Sequence, residues 1–372
     1  MSTSIGFQPL ATADPDMDLE MQAQPLHRHT QEQVDDEDLE PITTAPRRPF
    51  PRKPTLSDRV EKLTDSAIKG LGPILITVAF LLLSVCIFCF FSVIIPYHYT
   101  WNEGQGFFGN LGYILNMVWS SYLVWGIMAN YYYAVRTPAG SVLDGVKNAP
   151  NEALFQVVLS EMECYTEVPP TCKRCMLPKP ERTHHCSVCK KCVLKYDHHC
   201  PWIHNCVGHF NHRYFLMFLT YLSTACFYFV IMGVGPFLLA ADLESGDNWP
   251  YWLDRSLMAF AEVLAVAIGV AVGGMGCWHW FLTLTAQTTL EQYNNAYIKK
   301  MCKKRGETFT NMYDFGIFGN LMDFFNVGPR GHYPWYTAFL PLRIPPIGNG
   351  KRFERSGRGF VLDFGEEDDD MV

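Results

Sequence analysis

Lysine and arginine are missing from long stretches of this 372-residue chain. None occurs between Lys69 and Arg136, between Arg213 and Arg255, or between Arg255 and Lys299. Residues 71–95 and 111–135 hold no charged side chain at all. Such runs exclude a wholly water-exposed globular chain, because about 20 apolar residues suffice to cross a bilayer core. Met1–Leu10 offers neither a basic start nor an apolar core, which excludes a secretory leader there. Residues 1–70 lack apolar periodicity and carry ten acids in the first 40, so a packed domain is not expected in them. No internal repeat is visible, and a single acid, Glu262, falls inside the later apolar runs. That pattern argues against a transporter built on repeats and midplane charges.

What is present is four apolar runs. The reading is an integral membrane, all-α protein with four transmembrane helices, at 71–95, 111–135, 214–241 and 256–286. Tyr131, Tyr132 and Tyr133 form an aromatic belt at the exit of the second span, and Gly233, Gly235 and Pro236 predict an interruption in the third. Glu262 is expected to reach the far interface, being less than two turns from its helix end. Residues 136–213 form a soluble loop between the second and third spans. Lysine and arginine number ten in that loop, eight in residues 1–70, eleven in residues 287–372, and one in the two short opposite loops. The asymmetry puts both tails and the 136–213 loop in the cytosol. The N-terminal tail, 1–70, reads as disordered, with a basic, proline-rich stretch at 46–54 and a short surface helix starting near Ser57 as its cap. Basic residues that hug a membrane make nucleic acid an unexpected partner; the expected one is the lipid bilayer.

Seven of the 13 cysteines lie between Cys172 and Cys206. Pairs two apart recur at 172/175, 186/189 and 189/192, a spacing that points two sulfurs at one ion. In a reducing cytosol, clustered cysteines read as metal ligands or catalysts rather than disulfides. Two closed Cys3His tetrahedra would consume six cysteines and two histidines, leaving one thiol over. Cys200 is the candidate, because Asp197, His198 and His199 precede it directly. A thiol beside an imidazole and a carboxylate has the makings of an activated nucleophile. A metal-bound scaffold or a membrane-anchored ubiquitin ligase would use the same ligands without a free thiol at that place. Cys86, Cys89, Cys226 and Cys277 fall in spans and read as packing residues. Cys164 and Cys302 are unassigned.

The pattern Cys172, Cys175, His185, Cys186, Cys189, Cys192, Asp197-His198-His199-Cys200, Pro201-Trp202 and Asn205-Cys206-Val207-Gly208 resembles the DHHC family of membrane protein S-acyltransferases. The resemblance implies two structural zinc ions, one on Cys172, Cys175, His185 and Cys192, the other on Cys186, Cys189, His199 and Cys206. It implies that Cys200 carries an acyl group, that His198 is the base, and that Asp197 orients it. The cosubstrate would be acyl-CoA, such as palmitoyl-CoA, and the acceptors accessible cysteines of membrane-associated proteins. Lys179 and Arg182 would meet the CoA phosphates, out of a basic set that also holds Lys173, Arg174, Lys190, Lys191 and Lys195. Trp202 would pack near the acyl thioester. His184, His204, His209 and His212 are then surface or supporting histidines, and His279 is open.

Thr288-Thr289-Leu290-Glu291 follows the fourth span and resembles the family's Thr-Thr-x-Glu motif. By that resemblance Thr289 approaches Asp197 and Glu291 is structural. A helix with a basic end, Lys299 to Arg305, should follow on the membrane surface. Residues 311–325 resemble the family's aromatic-and-asparagine motif, with Asn320 bonding backbone near the membrane exits and Met312 where proline is usual. Thr137-Pro138-Ala139-Gly140 departs from the usual Asp-Pro-Gly. An endoplasmic reticulum or Golgi membrane is the expected location by family habit.

Overall fold

The computed structural model describes residues 55–99, 106–144, 158, 169–241 and 249–357. Among them, four helices are long and apolar enough to cross a membrane. Helix α1 (Leu56–Cys89) continues through one π-helical turn, Phe90–Ile94, into the short α2 (Ile95–His98). Helix α3 spans Gly106–Arg136. Two small antiparallel hairpins follow, pairing β1 (His184–Cys186) with β2 (Lys191–Val193) and β3 (His198–Cys200) with β4 (Asn205–Val207). Helices α4 (His212–Ala241) and α5 (Arg255–Leu284) complete the membrane part. Helix α6 (Thr289–Arg305) and helix α7 (Ile317–Phe325) lie beyond it.

Helix α4 is the packing centre of the bundle, touching α3 on one side and α5 on the other. Tyr214, Phe215 and Leu216 are fully buried near its start, and Phe218 stacks on Tyr131 of α3 at 4.8 Å. The same buried cluster contains Cys200 and Ile203 of the hairpin segment, so membrane bundle and cysteine-rich domain share one core. Asp254 caps α5 by accepting from the Ser256 amide at 2.7 Å. Residues Thr137–Gly140 keep the join between α3 and the hairpins despite their departure from the family pattern. Asn205 and Asn211 both donate to the Thr137 carbonyl, and Gly140 adopts φ +102° with Phe210 packed where a side chain would sit.

Several expectations need correction. Residues 56–70 are helical rather than part of a disordered tail; residues 1–54 lie outside the described set. The helix starts at Leu56, which puts Ser57 inside the first turn instead of at the cap. Composition misleads here because the stabilising contacts are tertiary: buried Asp65 accepts from Ser187 and from Lys190 Nζ at 2.7 Å, and Arg174 pairs with Glu61. Helix α4 runs unbroken through Gly233, Gly235 and Pro236. Its glycines make room rather than breaks: a Cβ at Gly233 would strike the Glu262 carboxylate, and one at Gly235 would strike Tyr97. Glu262 is accordingly enclosed at the α4–α5 contact, 5% exposed, instead of reaching the interface. The supposed packing cysteines divide, Cys89 and Cys226 being buried and Cys277 exposed. Cys302 is buried, and Cys164 lies outside the described residues.

The exit from α5 is tied down by Asn320. Its amide donates to the Leu284 carbonyl at 2.8 Å and to Asp314 at 2.7 Å, and its oxygen accepts from the Phe315 amide. Replacing Asn320 with alanine leaves a partly buried carbonyl and a partly buried amide unpaired. It should cost about 1–3 kcal/mol, read as a lowered Tm of the detergent-solubilised chain. An unchanged Tm would contradict this role.

Candidate active site

The two hairpins bring metal-type donors together by register. His185 lies opposite Cys192 in one, and His199 lies opposite Cys206 in the other. Each hairpin thus supplies two donors, and a Cys-x-x-Cys turn supplies the other two. The first group is Cys172, Cys175, His185 and Cys192; the second is Cys186, Cys189, His199 and Cys206. Within the first, Cys175 Sγ stands 3.2 Å from His185 Nδ1, Cys192 Sγ 3.6 Å from Cys175 Sγ, and Cys172 Sγ 3.8 Å from His185 Nδ1. Within the second, Sγ to Nδ1 distances run from 3.4 Å to 3.8 Å, and Cys189 Sγ is 3.4 Å from Cys206 Sγ. A tetrahedron with metal–sulfur bonds of about 2.3 Å has edges of this size. Both groups therefore fit a four-coordinate metal ion. They interleave in the chain, since Cys186 and Cys189 of the second lie between His185 and Cys192 of the first.

Strand alternation separates ligand from chemistry. In β3, His199 points to the second metal group, while His198 and Cys200 share the opposite face. Cys200 belongs to neither donor group. His198 Nδ1 bonds Asp197 Oδ2 at 2.6 Å, which fixes the tautomer and leaves Nε2 as the ring's other nitrogen, with Cys200 on the same cavity wall. Burial pulls the imidazole toward neutrality, but the nearby Asp197 and Cys200 outweigh it and hold His198 up at about 9. Asp197 is almost fully buried, which by itself favours the neutral acid. The bond from His198, with the surrounding histidines, overrides this and keeps its carboxyl well below the usual range.

The Asp197 carboxylate is held from a second direction. The Thr289 amide donates to Oδ1 at 2.7 Å and its hydroxyl to Oδ2 at 3.0 Å. Thr289 can do this because α6 begins there under a capping box, in which Thr288 and Glu291 satisfy each other's backbone amides. Glu291 also takes both nitrogens of a buried pair from Arg182, at 2.6 and 2.7 Å. Burial opposes charge on both partners. Each nevertheless favours its own ionised form through the other, so Arg182 is raised and Glu291 lowered. Arg182 further donates to the Ala286 carbonyl and stacks on Tyr313 at 4.3 Å.

His279, which the sequence left open, and His212, read there as a surface or supporting histidine, both come to this site. His279 is 3% exposed, with its ring 5.6 Å from His198 and 5.1 Å from Phe215. His212 stands 5.9 Å behind it. A histidine in a span whose one charged side chain is Glu262 is the only sequence signal for His279. Asp197, His198 and His279 also converge closely enough to suggest a third metal group. The Asp197 oxygens are already hydrogen bonded to His198 and Thr289, and His279 joins the cluster through ring contacts. His209 is buried against the Gly348 carbonyl, and His204 packs beside Gly72.

Cys200, His198 and Trp202 line a cavity of about 630 Å³ that runs down among the spans. Leu83, Phe90, Leu123, Phe218, Ile268 and Val272 contribute to its walls. Tyr131 holds the mouth by donating to the Trp202 carbonyl at 2.9 Å. A second cavity of about 430 Å³ is lined by Arg182, Lys195 and His212 among others. Burial and the nearby Arg182 lower Lys195 to about 8. Lys179 is half-buried on the first metal turn, bonding Pro170 through its amide.

The site thus joins a buried thiol, an imidazole oriented by a carboxylate, two Cys3His donor groups and an apolar cavity among the long helices. The chain carries a match to a family model described as DHHC palmitoyltransferase, over residues 166–296. It is 35% identical over 223 residues to palmitoyltransferase ZDHHC16B of Danio rerio, covering 50% of this chain and 58% of that protein. It is 30% identical over 253 residues to palmitoyltransferase ZDHHC16 of Homo sapiens, covering 61% and 62%. It is also 37% identical over 182 residues to the probable protein S-acyltransferase 16 of Arabidopsis thaliana, covering 49% and 60%. The chain thus spans about three fifths of the length of these curated relatives.

Elemental analysis of the purified chain should find two bound metal ions, one for each donor group. Cys189→Ser should lose one of them and lower Tm, because the β3–β4 hairpin loses its anchor. Folded wild-type chain carrying no metal would contradict the assignment.

Proposed function

We propose that this chain is a protein S-acyltransferase. It moves a fatty acyl group, palmitoyl by resemblance, from acyl-CoA through a Cys200 thioester to cysteines of membrane-associated proteins. The observation that carries the reading is that Cys200 stands outside both metal groups, beside His198, on the wall of an apolar cavity among the spans. The two donor groups would hold zinc, which suits closed Cys3His sets and supplies structure rather than a reaction step.

In the first step His198 Nε2 takes the Cys200 proton, and the thiolate attacks the acyl-CoA carbonyl. The bond from carbonyl carbon to CoA sulfur breaks, CoA leaves as the thiol with the proton from His198, and Cys200 keeps the acyl group. In the second step a substrate thiol gives its proton to His198 and attacks the Cys200 thioester, regenerating the free thiol. Asp197 stabilises the imidazolium formed in each step. Thr289, whose contacts are to Asp197, acts by orienting that pair rather than by touching the substrate.

The acyl chain would lie in the cavity, with Trp202 beside the thioester. Lys179 and Arg182 are the proposed contacts to the CoA phosphates. With its Nε and Nη2 committed to Glu291 and Ala286, Arg182 would serve mainly as a fixed positive charge. The distribution of lysine and arginine supports tails and metal domain in the cytosol, and an endoplasmic reticulum or Golgi membrane is proposed by resemblance alone.

Purified chain incubated with labelled palmitoyl-CoA should acquire label that neutral hydroxylamine releases. Cys200→Ser should acquire none, and His198→Ala should slow labelling by about 10²–10⁴-fold. Equal labelling of wild type and Cys200→Ser, with both retaining metal, would overturn the proposal.

A further inference from the structure

The segment from Tyr333 to Leu342 reads Tyr-Pro-Trp-Tyr-Thr-Ala-Phe-Leu-Pro-Leu and contains no charge. Sequence analysis left it in the C-terminal tail. Its contacts to α4 trace a path along that helix. The Thr337 carbonyl accepts from Arg213 at 2.6 Å. The Phe339 carbonyl accepts from Tyr221 of α4 and from Tyr122 of α3. The Ile344 carbonyl accepts from Tyr214 at 2.9 Å. The chain therefore descends from the level of residue 213 to that of residue 221 and returns to 214. At 1.5 Å per residue, that excursion is about 12 Å along the helix axis.

Both tyrosines lie well inside candidate membrane spans, His212–Ala241 and Asn110–Arg136. Tyr131 of α3, whose hydroxyl bonds Trp202 at the cavity mouth, is nine residues nearer the metal domain than Tyr122. Two helices running in opposite directions thus give the same depth for the Phe339 carbonyl, below the level of the active site.

Non-helical backbone survives at such depth only where its polar groups are paired. Here the pairing is built in. The Tyr122 and Tyr221 hydroxyls, 2.7 Å apart, converge on one carbonyl, and Arg213 serves Thr337 and Phe325. The side chains point the other way. Trp335 is 71% exposed, Phe339 60% and Tyr336 52%. These rings continue the outward apolar face of α3, where Trp119 and Trp125 are also exposed. Large aromatic side chains beside a bilayer belong at its interface or in its outer hydrocarbon, not in water.

We infer that Pro334–Leu342 is a re-entrant membrane segment. It dips into the leaflet on the metal-domain side, seated on the Tyr122–Tyr221 hydroxyl pair, with Trp335, Tyr336 and Phe339 facing lipid acyl chains. The inference rests on the four spans and not on acyl transfer. The C-terminal region is then held to the bilayer beyond its fourth span, close to where α7 packs on α5.

The test places the photo-crosslinking residue p-benzoylphenylalanine at 336, at 339 and, as a water-exposed control, at 354. The full chain is reconstituted in phosphatidylcholine vesicles whose acyl chains carry an alkyne. Illumination should attach alkyne lipid at 336 and 339 and not at 354. Combining Tyr122→Phe with Tyr221→Phe removes both donors to the Phe339 carbonyl and should cut the 339 adduct by roughly fivefold or more. Metal content reports folding independently. Absence of lipid adducts at 336 and 339 in metal-bound chain, or adducts only to protein, would overturn the inference.

Discussion

The register of one three-residue strand governs the site. In β3 the metal donor His199 sits between His198 and Cys200, and the two-residue period of a strand sends it to the opposite face. A metal on the His199 side therefore fixes the direction in which His198 and Cys200 point. A slip of one residue would exchange ligand for base and empty both sites. Pairing His199 with Cys206 across the hairpin guards against that slip, because both are donors to the same ion.

The hairpin must also be fixed relative to the membrane, and that task falls on Asp197, Arg182 and their partners. Asp197 precedes the strand and is gripped by Thr289 at the start of α6. Arg182 precedes β1 and is clamped by Glu291, two residues after Thr289. Both partners come from the same short motif after α5, so one helix start anchors both halves of the cysteine-rich domain. From the other side, Tyr131 of α3 holds Trp202, and Asn205 holds the end of α3. Cys200 is thereby suspended at the top of a channel whose walls are the spans themselves.

Much of this was legible in the sequence for a simple reason. Metal donors and charge-free spans are written in residue types and spacings that carry their meaning locally. The two donor sets, the surplus thiol and the partners of Asp197 and Asn320 follow from such patterns and from resemblance. What was not legible depends on which surface meets which. The acidic-looking start of α1 folds because Asp65 finds Ser187 and Lys190 over 120 residues away. Gly233 reads as a helix break until Glu262 is seen filling its space. His279 looks like any histidine near a membrane exit until α5 turns it to within ring contact of His198.

The central claim is that Cys200, alone among the described cysteines, combines a neighbouring imidazole with access to the apolar cavity. The most direct measurement is peptide mapping after brief exposure of the metal-loaded chain to 2-bromopalmitoyl-CoA, with and without excess palmitoyl-CoA. The account predicts alkylation at Cys200 ahead of every other cysteine, suppressed by the competitor. Alkylation spread over Cys277, Cys302 and the spans, with Cys200 no faster than the rest, would contradict it.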